Sequence, residues 1–189
     1  GAHSRNGPLR AWRAFLSQRP SAQCGLTFQA AAWVHDIADR APARLEVAAV
    51  DAKLARQLPA RLATSVFAPH LQYVHLRGVP VLPLASVLVH MTTRPIAVRT
   101  WESAREWLPE LATALSWDDL ARELEGRPAT VRARAGYLLQ GVRADLADRI
   151  HMMEPPRSKT WFGPHDPLRR HDNRWLIADT ILPFDPRQL

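Results

Sequence analysis

The sequence predicts an α/β fold of the α+β kind, with a mixed β-sheet backed by helices and a helical subdomain inserted before the final strands. Three observations lead to this prediction. Short apolar runs separated by turn residues fill residues 44–83, helical periodicity dominates residues 101–150, and strand-like runs return after Pro155 and Pro156. The 189 residues, 47% of them hydrophobic, are enough for one well-buried domain, which we place at residues 8–189.

The first half of the chain alternates between helical and strand-like segments. Thr27 and Asp51 stand at positions that favour helix N-caps, and Ser86 lies near the start of an apolar helical run. The predicted elements are helix Pro8–Ser17, helix Phe28–Asp39, strand Arg44–Val50, a short helix from Asp51 to Leu58, strands Ser65–Pro69, Tyr73–Gly78 and Val79–Pro83, and helix Ala85–Met91. The last two of these strands are expected to form a hairpin.

The second half of the chain is helical and ends in strands. Ser116 and Pro128 are favourable helix starts. The predicted elements are helices Trp101–Leu115, Ser116–Gly126 and Pro128–Ile150, followed by strands Thr160–Pro164 and Arg174–Phe184. We therefore expect the last strands to complete the sheet after the helical subdomain.

The first residues, the single cysteine and the lack of a long apolar run indicate a linker at the N-terminus, a reducing compartment and no membrane partner. Gly1–Asn6 is short, polar and without periodicity, so we interpret residues 1–7 as a linker or the remnant of a tag. The single cysteine, Cys24, excludes an intramolecular disulfide and favours a reducing, cytoplasmic setting. No run approaches the ~18 uninterrupted apolar residues of a membrane span, so we expect no membrane partner.

The chain is basic, with a formal net charge of +7 from 25 Lys and Arg against 18 Asp and Glu. Only Lys53 and Lys159 are lysines, so the other 23 of these 25 residues are arginines, whose planar guanidinium suits phosphate and carboxylate. A GC-rich genome would produce the same arginine bias. The charge therefore favours a polyanion or an acidic protein partner without choosing between them.

One run near the C-terminus, RSKTWFGPHDPLRRHDNRW, combines basic and aromatic side chains. Strand alternation is expected to bury Trp161, Phe162 and Trp175 from two adjacent strands. The basic residues form the candidate set for binding a partner or nucleic acid: Arg157, Lys159, Arg169, Arg170 and Arg174. We expect the last three to form the exposed tip of a closing hairpin. The alternative is that these charges only solvate the loop.

Most signatures of catalysis are missing from the sequence. It has no P-loop, no G-x-G-x-x-G after a strand, no G-x-S-x-G and no H-E-x-x-H, and it lacks the Gly-Ser and carboxylates of a nucleotidyltransferase. The pairs His70/His75 and His165/His171 have generic spacings, whereas zinc needs three or four converging ligands. We therefore predict no catalytic residue, no metal and no cofactor.

One pattern keeps an enzymatic alternative open. Asp51-Ala52-Lys53 follows an apolar strand that carries Glu46, an arrangement similar to the D-x-K element of restriction-type nucleases. In such a site a carboxylate binds Mg²⁺ while the lysine supports the attacking water. Asp51 is equally well explained as a helix N-cap. We expect a protein that is not an enzyme, with a Mg-dependent nuclease centred on these three residues as the alternative.

Four segments, in a fixed order, carry a resemblance to one family. They are LTFQAAAWVHDIADRAPARLEVAAVDAKLARQLPARL (Leu26–Leu62), LRGVPVLPLASVLVHM (Leu76–Met91), RARAGYLLQG (Arg132–Gly141) and the WFGP…RWLIADTILP ending. Together they resemble the C-terminal domain of AbiEi-type antitoxins. These are the antitoxins of bacterial type IV toxin–antitoxin pairs that act in abortive infection, a form of phage defence. The resemblance extends from about Pro8 to Pro186.

The resemblance implies an antitoxin domain that opposes a nucleotidyltransferase-like toxin, by direct contact or by countering its effect on the target. In this family an N-terminal winged helix-turn-helix binds inverted repeats in the operon's own promoter. No such motif precedes Pro8 in this sequence. DNA binding is therefore expected mainly through a missing domain, and the present domain is expected to assist transcriptional autoregulation when joined to it. Nonspecific nucleic-acid binding, which would be strongly salt-dependent, is a further alternative.

Overall fold

The computed structural model describes residues 7–189 and confirms the mixed α/β class. Contacts between residues divide the chain into two compact units, one ending at Pro83 and the other spanning Leu84–Leu189. The predicted linker, residues 1–7, lies outside the described residues except for Gly7, where the first helix begins. None of the described helices is both long and apolar enough to cross a membrane.

The first unit is built around a five-stranded mixed sheet. Its elements are α1 (Gly7–Gln18), β1 (Cys24–Leu26), α2 (Phe28–Val34), β2 (Glu46–Ala49), α3 (Ala52–Gln57), β3 (Ala63–Val66), β4 (Val74–Leu76) and β5 (Val79–Val81). The strand order is β3-β2-β1-β5-β4, in which β2–β3 and β1–β5 are parallel and the other pairs antiparallel. The β4–β5 hairpin turns at Arg77 and Gly78, whose φ angles of 50° and 73° suit a two-residue turn.

The structure differs from the prediction on both sides of α2. The sequence pattern does not reveal β1, because a three-residue strand with a central glycine offers no alternation. A Cβ at Gly25 would lie 2.8 Å from Cδ1 of Tyr73, so the glycine allows this close approach. Beyond α2, the predicted helix to Asp39 is wrong. The helix ends at Val34 because Asp36 takes a left-handed conformation with φ of 62°.

Some helices are capped by a residue next to them in the sequence, and others by a residue from a distant part of the chain. The predicted N-cap Asp51 accepts a hydrogen bond from the backbone N–H of Leu54 at 2.8 Å. Thr27 occupies the N-cap position of α2, but its side chain makes no capping hydrogen bond. The buried carboxylate of Glu46 instead accepts from the N–H of Ala30 at 3.1 Å. Glu46 on β2 therefore stabilises the start of α2 from a distant part of the sequence.

The second unit combines five helices, two turns of 3₁₀ helix and a three-stranded sheet within the described residues. Its elements are α4 (Leu84–Thr93), a 3₁₀ turn (Pro95–Ala97), α5 (Trp101–Thr113), α6 (Trp117–Leu124), α7 (Ala129–Leu139), α8 (Ala144–Met153), β6 (Thr160–Phe162), β7 (Arg170–Asp172), β8 (Ile177–Asp179) and a 3₁₀ turn (Pro186–Gln188). Trp107, Tyr137 and Trp175 are its largest fully buried side chains. As predicted, Ser116 caps α6, accepting from the N–H of Asp119 at 3.2 Å.

Two predictions for this half need correction. The predicted helix Pro128–Ile150 is two helices, which break near Gly141, where a Cβ would lie 2.2 Å from the carbonyl oxygen of Pro186. The final strands form their own sheet, in the order β6-β8-β7, instead of completing the first one. Both neighbours of β8 come from the same C-terminal segment, so β8 is already paired on both sides.

Candidate partner-binding surface

The turn of the C-terminal hairpin is anchored by Trp175. Its ring is fully buried and packs so closely on α7 that a Cβ at Gly136 would lie 2.0 Å from Cη2. Its backbone N–H donates to Oδ1 of Asp172 at 2.9 Å, and Gln140 donates to the other carboxylate oxygen at 3.1 Å. The expectation that Trp175 is a core anchor is confirmed.

A buried carboxylate, Asp179, organises the base of the same hairpin. It is fully buried on β8 and accepts hydrogen bonds from the hydroxyl of Tyr137 at 3.0 Å and from the N–H groups of Ile181 and Leu182 at 3.1 and 3.0 Å. Burial, followed by the charge of Asp179, raises the pKa of Tyr137 well above its usual range. Tyr137 therefore stays a hydrogen-bond donor to this carboxylate at neutral pH.

Arg170 completes this buried network, and its predicted position at an exposed tip is wrong. It lies on β7 directly opposite Asp179, so its Nη1 donates to Oδ2 at 2.7 Å and to the carbonyl oxygen of Leu182 at 3.0 Å. Its side chain is only 22% exposed. The turn-rich stretch contains a strand that the sequence pattern does not reveal, and strand pairing draws Arg170 against a buried partner. Its binding role stays a prediction.

The other four predicted basic residues are exposed, and those with known contacts have different surroundings. Arg174 lies at the hairpin turn. Its Cζ is 5.3 Å from the centroid of the Trp175 ring, and its Nη2 pairs with Oδ1 of Asp148 at 2.5 Å. Lys159 lies over the ring of Trp161, with Nζ 4.6 Å from the centroid. Arg157 is exposed in the segment between α8 and β6, and Arg169 directly precedes β7. Arg169 also lines a cavity together with Arg99.

Trp161 is not the core residue that the sequence predicts. It is half-buried, and its ring contacts Lys159 and His165. Its neighbour Phe162 is fully buried and packs edge-on against Trp101 and Tyr137. Successive residues of a strand point to opposite faces, so Trp161 and Phe162 cannot both enter the same core.

An open cavity of about 380 Å³ lies at the start of α5. Its basic side chains are Arg99 and Arg169, and its wall includes Thr100, Glu102 and Pro183. Both arginines are exposed, and Arg169 makes one long hydrogen bond, 3.4 Å, to the carbonyl oxygen of Leu182. The two guanidinium groups can therefore reorient towards an anion, and the helix dipole of α5 favours negative charge at this end.

A second open cavity, of about 360 Å³, shares Pro183 with the first. Its basic residues are Arg105 of α5 and Arg170. It also contains Asp185, whose carboxylate is bound by Arg187 at 2.7 Å, and this hydrogen bond is the main cause that lowers the pKa of Asp185. The acid in this cavity is thus already neutralised by Arg187.

We call the four arginines of these two cavities the arginine surface: Arg99, Arg105, Arg169 and Arg170. The sequence pattern indicates the last two but not Arg99 and Arg105, which lie about seventy residues earlier on either side of the α5 start. No spacing rule connects residues so far apart. Planar guanidinium groups around adjoining cavities suit carboxylate or phosphate groups of a partner.

Two of the three proposed nuclease residues, Glu46 and Asp51, serve as helix caps. The carboxylate of Glu46 is buried and accepts the N–H of Ala30, while Asp51 is the N-cap of α3. Lys53, in the first turn of that helix, is exposed. Both carboxylates are therefore engaged in helix capping, whereas a Mg²⁺-dependent nuclease would use them as metal ligands.

Within residues 7–189, no group of three or more histidine, cysteine, aspartate or glutamate side chains has the geometry to hold a metal ion. In the pair His165/His171, whose spacing is generic in the sequence, His165 contacts the ring of Trp161, whereas His171 is exposed on β7. Cys24 is buried, and burial raises the pKa of its thiol to about 11, so it is a poor nucleophile at neutral pH.

Comparison with known proteins gives one family and one fold relative. The family model described as the AbiEi antitoxin C-terminal domain matches residues 21–141, more than half of the chain. The crystal structure of the RV2827C protein from Mycobacterium tuberculosis is similar with a TM-score of 0.75 and 23% identity, over 93% of this chain and 69% of that chain. At this identity the likeness shows the fold alone. No curated protein sequence matches significantly.

Proposed function

The chain belongs to the family of AbiEi antitoxin C-terminal domains, and on this premise we propose that it is a non-enzymatic antitoxin that counteracts a nucleotidyltransferase-like toxin. The observation that carries the proposal is the family match over residues 21–141, which includes parts of both compact units. We accordingly propose that residues 8–189 act as one functional module. A cytoplasmic site of action agrees with a single, buried cysteine, Cys24, that forms no disulfide within the chain.

The surface that we propose for the partner is the arginine surface. Arg99 and Arg169 are exposed and have no carboxylate partner within the described residues, so their charges are available to an acidic protein surface. Such charges steer encounter and contribute most to specificity and association rate. Arg157, Lys159 and Arg174 lie elsewhere on the second unit, and we place them as secondary contacts.

We propose that this domain does not need to recognise DNA in order to act as an antitoxin. We propose that the domain assists transcriptional autoregulation only when joined to a winged helix, by adding phosphate contacts or contacts between protein copies. This role has a clear signature, because phosphate contacts through arginine weaken steeply with increasing salt.

Co-expression tests the proposed function. We expect this chain to restore growth to cells that express the nucleotidyltransferase-like toxin encoded beside it. A matched strain that expresses the chain with a stop codon near Leu26 should not recover. If the intact, folded chain does not restore growth, this domain alone is not sufficient as an antitoxin.

Nonspecific nucleic-acid binding is the second candidate function, and the arginine cavities are the observation that favours it. It predicts binding of a random DNA duplex at low salt that decreases strongly between about 50 and 200 mM salt. The nuclease alternative has no comparable support, because Glu46 and Asp51 are engaged in helix capping.

A further inference from the structure

A third open cavity, of about 500 Å³, lies beside the 3₁₀ turn that follows α4. Its lining combines a basic pair with an apolar wall: Arg94 and Arg134 on one hand, and Pro95, Ile96, Ala97 and Gly163 on the other. The volume lies within the range of small-molecule sites, about 300–1,000 Å³. None of the predicted binding residues lines this cavity.

The guanidinium of Arg134 is held firmly in place beside this cavity. Its Nε donates to the carbonyl oxygen of Trp161 at 2.9 Å, and its Nη1 donates to the carbonyl oxygen of Thr92 at 3.0 Å. Both acceptors are neutral, so they orient the guanidinium without neutralising it. Burial lowers the pKa of Arg134, and within residues 7–189 no acidic group opposes this effect. The remaining N–H groups have no acceptor in that part of the chain.

Comparison with the other half-buried arginines of the second unit shows that Arg134 is exceptional. Four further arginines are half-buried in this unit, and each is paired with a carboxylate. The pairs are Arg127 with Glu123, Arg132 with Glu154, Arg143 with Asp145, and Arg170 with Asp179. A half-buried charge without a counter-ion is costly, so a site that retains one is suited to an anionic ligand.

The apolar side of the cavity specifies the rest of the ligand. Ile96 is 65% exposed and is one of few large hydrophobic side chains exposed in the described chain. Pro95 and Ala97 extend this apolar wall on both sides. A fully hydrated dianion such as inorganic phosphate would gain nothing from this wall, whereas an apolar body attached to a single anionic group would bury it.

We propose that this cavity binds a small monocarboxylate with a compact apolar body. The carboxylate accepts hydrogen bonds from the free N–H groups of Arg134, and the apolar body, about the size of a phenyl ring, covers Ile96. The planar fork of the guanidinium matches the two oxygens of a carboxylate. Arg94, which is exposed at the rim, adds a second positive charge.

Benzoate, its neutral analogue benzamide and inorganic phosphate are suitable probes. Each is titrated into the purified full chain while the Nε–Hε resonance of Arg134 and the backbone resonances of residues 93–97 are followed by NMR. We expect saturable benzoate binding that shifts these signals. Benzamide and phosphate should each bind at least about tenfold more weakly, benzamide because it loses the charge-assisted hydrogen bond and phosphate because it loses the apolar contact. Equal binding of benzoate and benzamide, or shifts elsewhere only, would overturn the proposal.

Two variants and a control complete the test. Ile96→Asp places a negative charge at an exposed position, so folding should persist while benzoate affinity decreases at least about tenfold. Arg134→Lys retains the charge but loses the fork, and should weaken benzoate binding by a similar factor. Arg56→Ala, at an exposed arginine of α3, should change nothing. If Arg134→Lys does not fold, Ile96→Asp decides, and unchanged affinity in that variant contradicts the site. No toxin is involved, so failure here leaves the antitoxin proposal unaffected.

Discussion

Arg170 and Asp179 face each other across the β7–β8 ladder, with Nη1 of the arginine 2.7 Å from Oδ2 of the fully buried carboxylate. The same carboxylate accepts the hydroxyl of Tyr137 from α7, so the pair connects the hairpin to the helices of the second unit. One arginine therefore serves both the interior and the second cavity of the arginine surface.

Removal of this arginine should destabilise the protein. Arg170→Ala leaves Asp179 buried with fewer donors, and we expect the free energy of unfolding to decrease by about 2–3 kcal/mol. Urea unfolding of the purified chain measures the change. Arg157→Ala is the matched control at an exposed arginine, where we expect a change within about 0.5 kcal/mol. Equal effects of the two substitutions would show that the buried pair contributes nothing to stability.

The contact between α7 and Trp175 leaves no room for a side chain at Gly136. We expect Gly136→Ala to lower the free energy of unfolding by at least about 2 kcal/mol, because the new methyl group would overlap the indole ring. Thermal unfolding provides the measurement. Gly126→Ala is the control, since open space surrounds that glycine and only its φ of 67° opposes alanine, at a cost of about 1 kcal/mol. A milder effect at Gly136 than at Gly126 would contradict the packing described.

The buried thiol of Cys24 should make stability depend on alkaline pH. Burial raises its pKa to about 11 in the folded protein, whereas an unfolded cysteine has a pKa of about 8.5. The unfolded chain therefore loses this proton first as the pH rises. The contribution of the neutral thiol to the free energy of unfolding is complete below about pH 8.5 and is lost as the pH rises towards 11.

We expect the free energy of unfolding to decrease between pH 8.5 and 10 more steeply for the native sequence than for Cys24→Ala. Tyr73, whose pKa burial raises to about 12, titrates mainly above this window and is common to both proteins. Denaturant unfolding at a series of pH values gives both slopes. Parallel pH profiles would rule out a raised thiol pKa.

The position of Asp51 at the start of α3 predicts a structural effect and no catalytic one. Asp51→Ala should lower the free energy of unfolding by about 1 kcal/mol through loss of the cap to Leu54. Incubation of plasmid DNA with the native chain and Mg²⁺ should leave the DNA intact. Cleavage that disappears in Asp51→Ala would instead support the nuclease alternative.

The parts of the fold that the sequence predicts are those decided by neighbours along the chain. Asp51 and Ser116 each cap a helix that begins at the next residue, and both are recognisable from local pattern alone. The cap of α2 comes from Glu46, sixteen residues beyond Ala30, and local pattern assigns it to Thr27. Strand β7 was hidden in a turn-rich run, because its pairing with β8 and not its composition makes it a strand.

The same division applies to the candidate site. Composition indicates Arg169 and Arg170, but the partners that decide their exposure, Asp179 and Leu182, are known only from the folded chain. Arg99 joins Arg169 through tertiary structure. Sequence alone also gives no sign that Arg134, within residues 7–189, lacks the carboxylate partner that Arg132 has two residues earlier.

Charge reversal in the growth-rescue assay tests the central claim, that the antitoxin acts through its arginine surface. The double variant Arg99→Glu with Arg169→Glu changes two exposed residues without disturbing the Arg170–Asp179 pair, and Arg56→Glu is the matched control on the first unit. We expect the double variant to remain folded but to lose rescue of toxin-expressing cells, because like charges then face an acidic partner, while the control rescues fully. Full rescue by the folded double variant would contradict the claim.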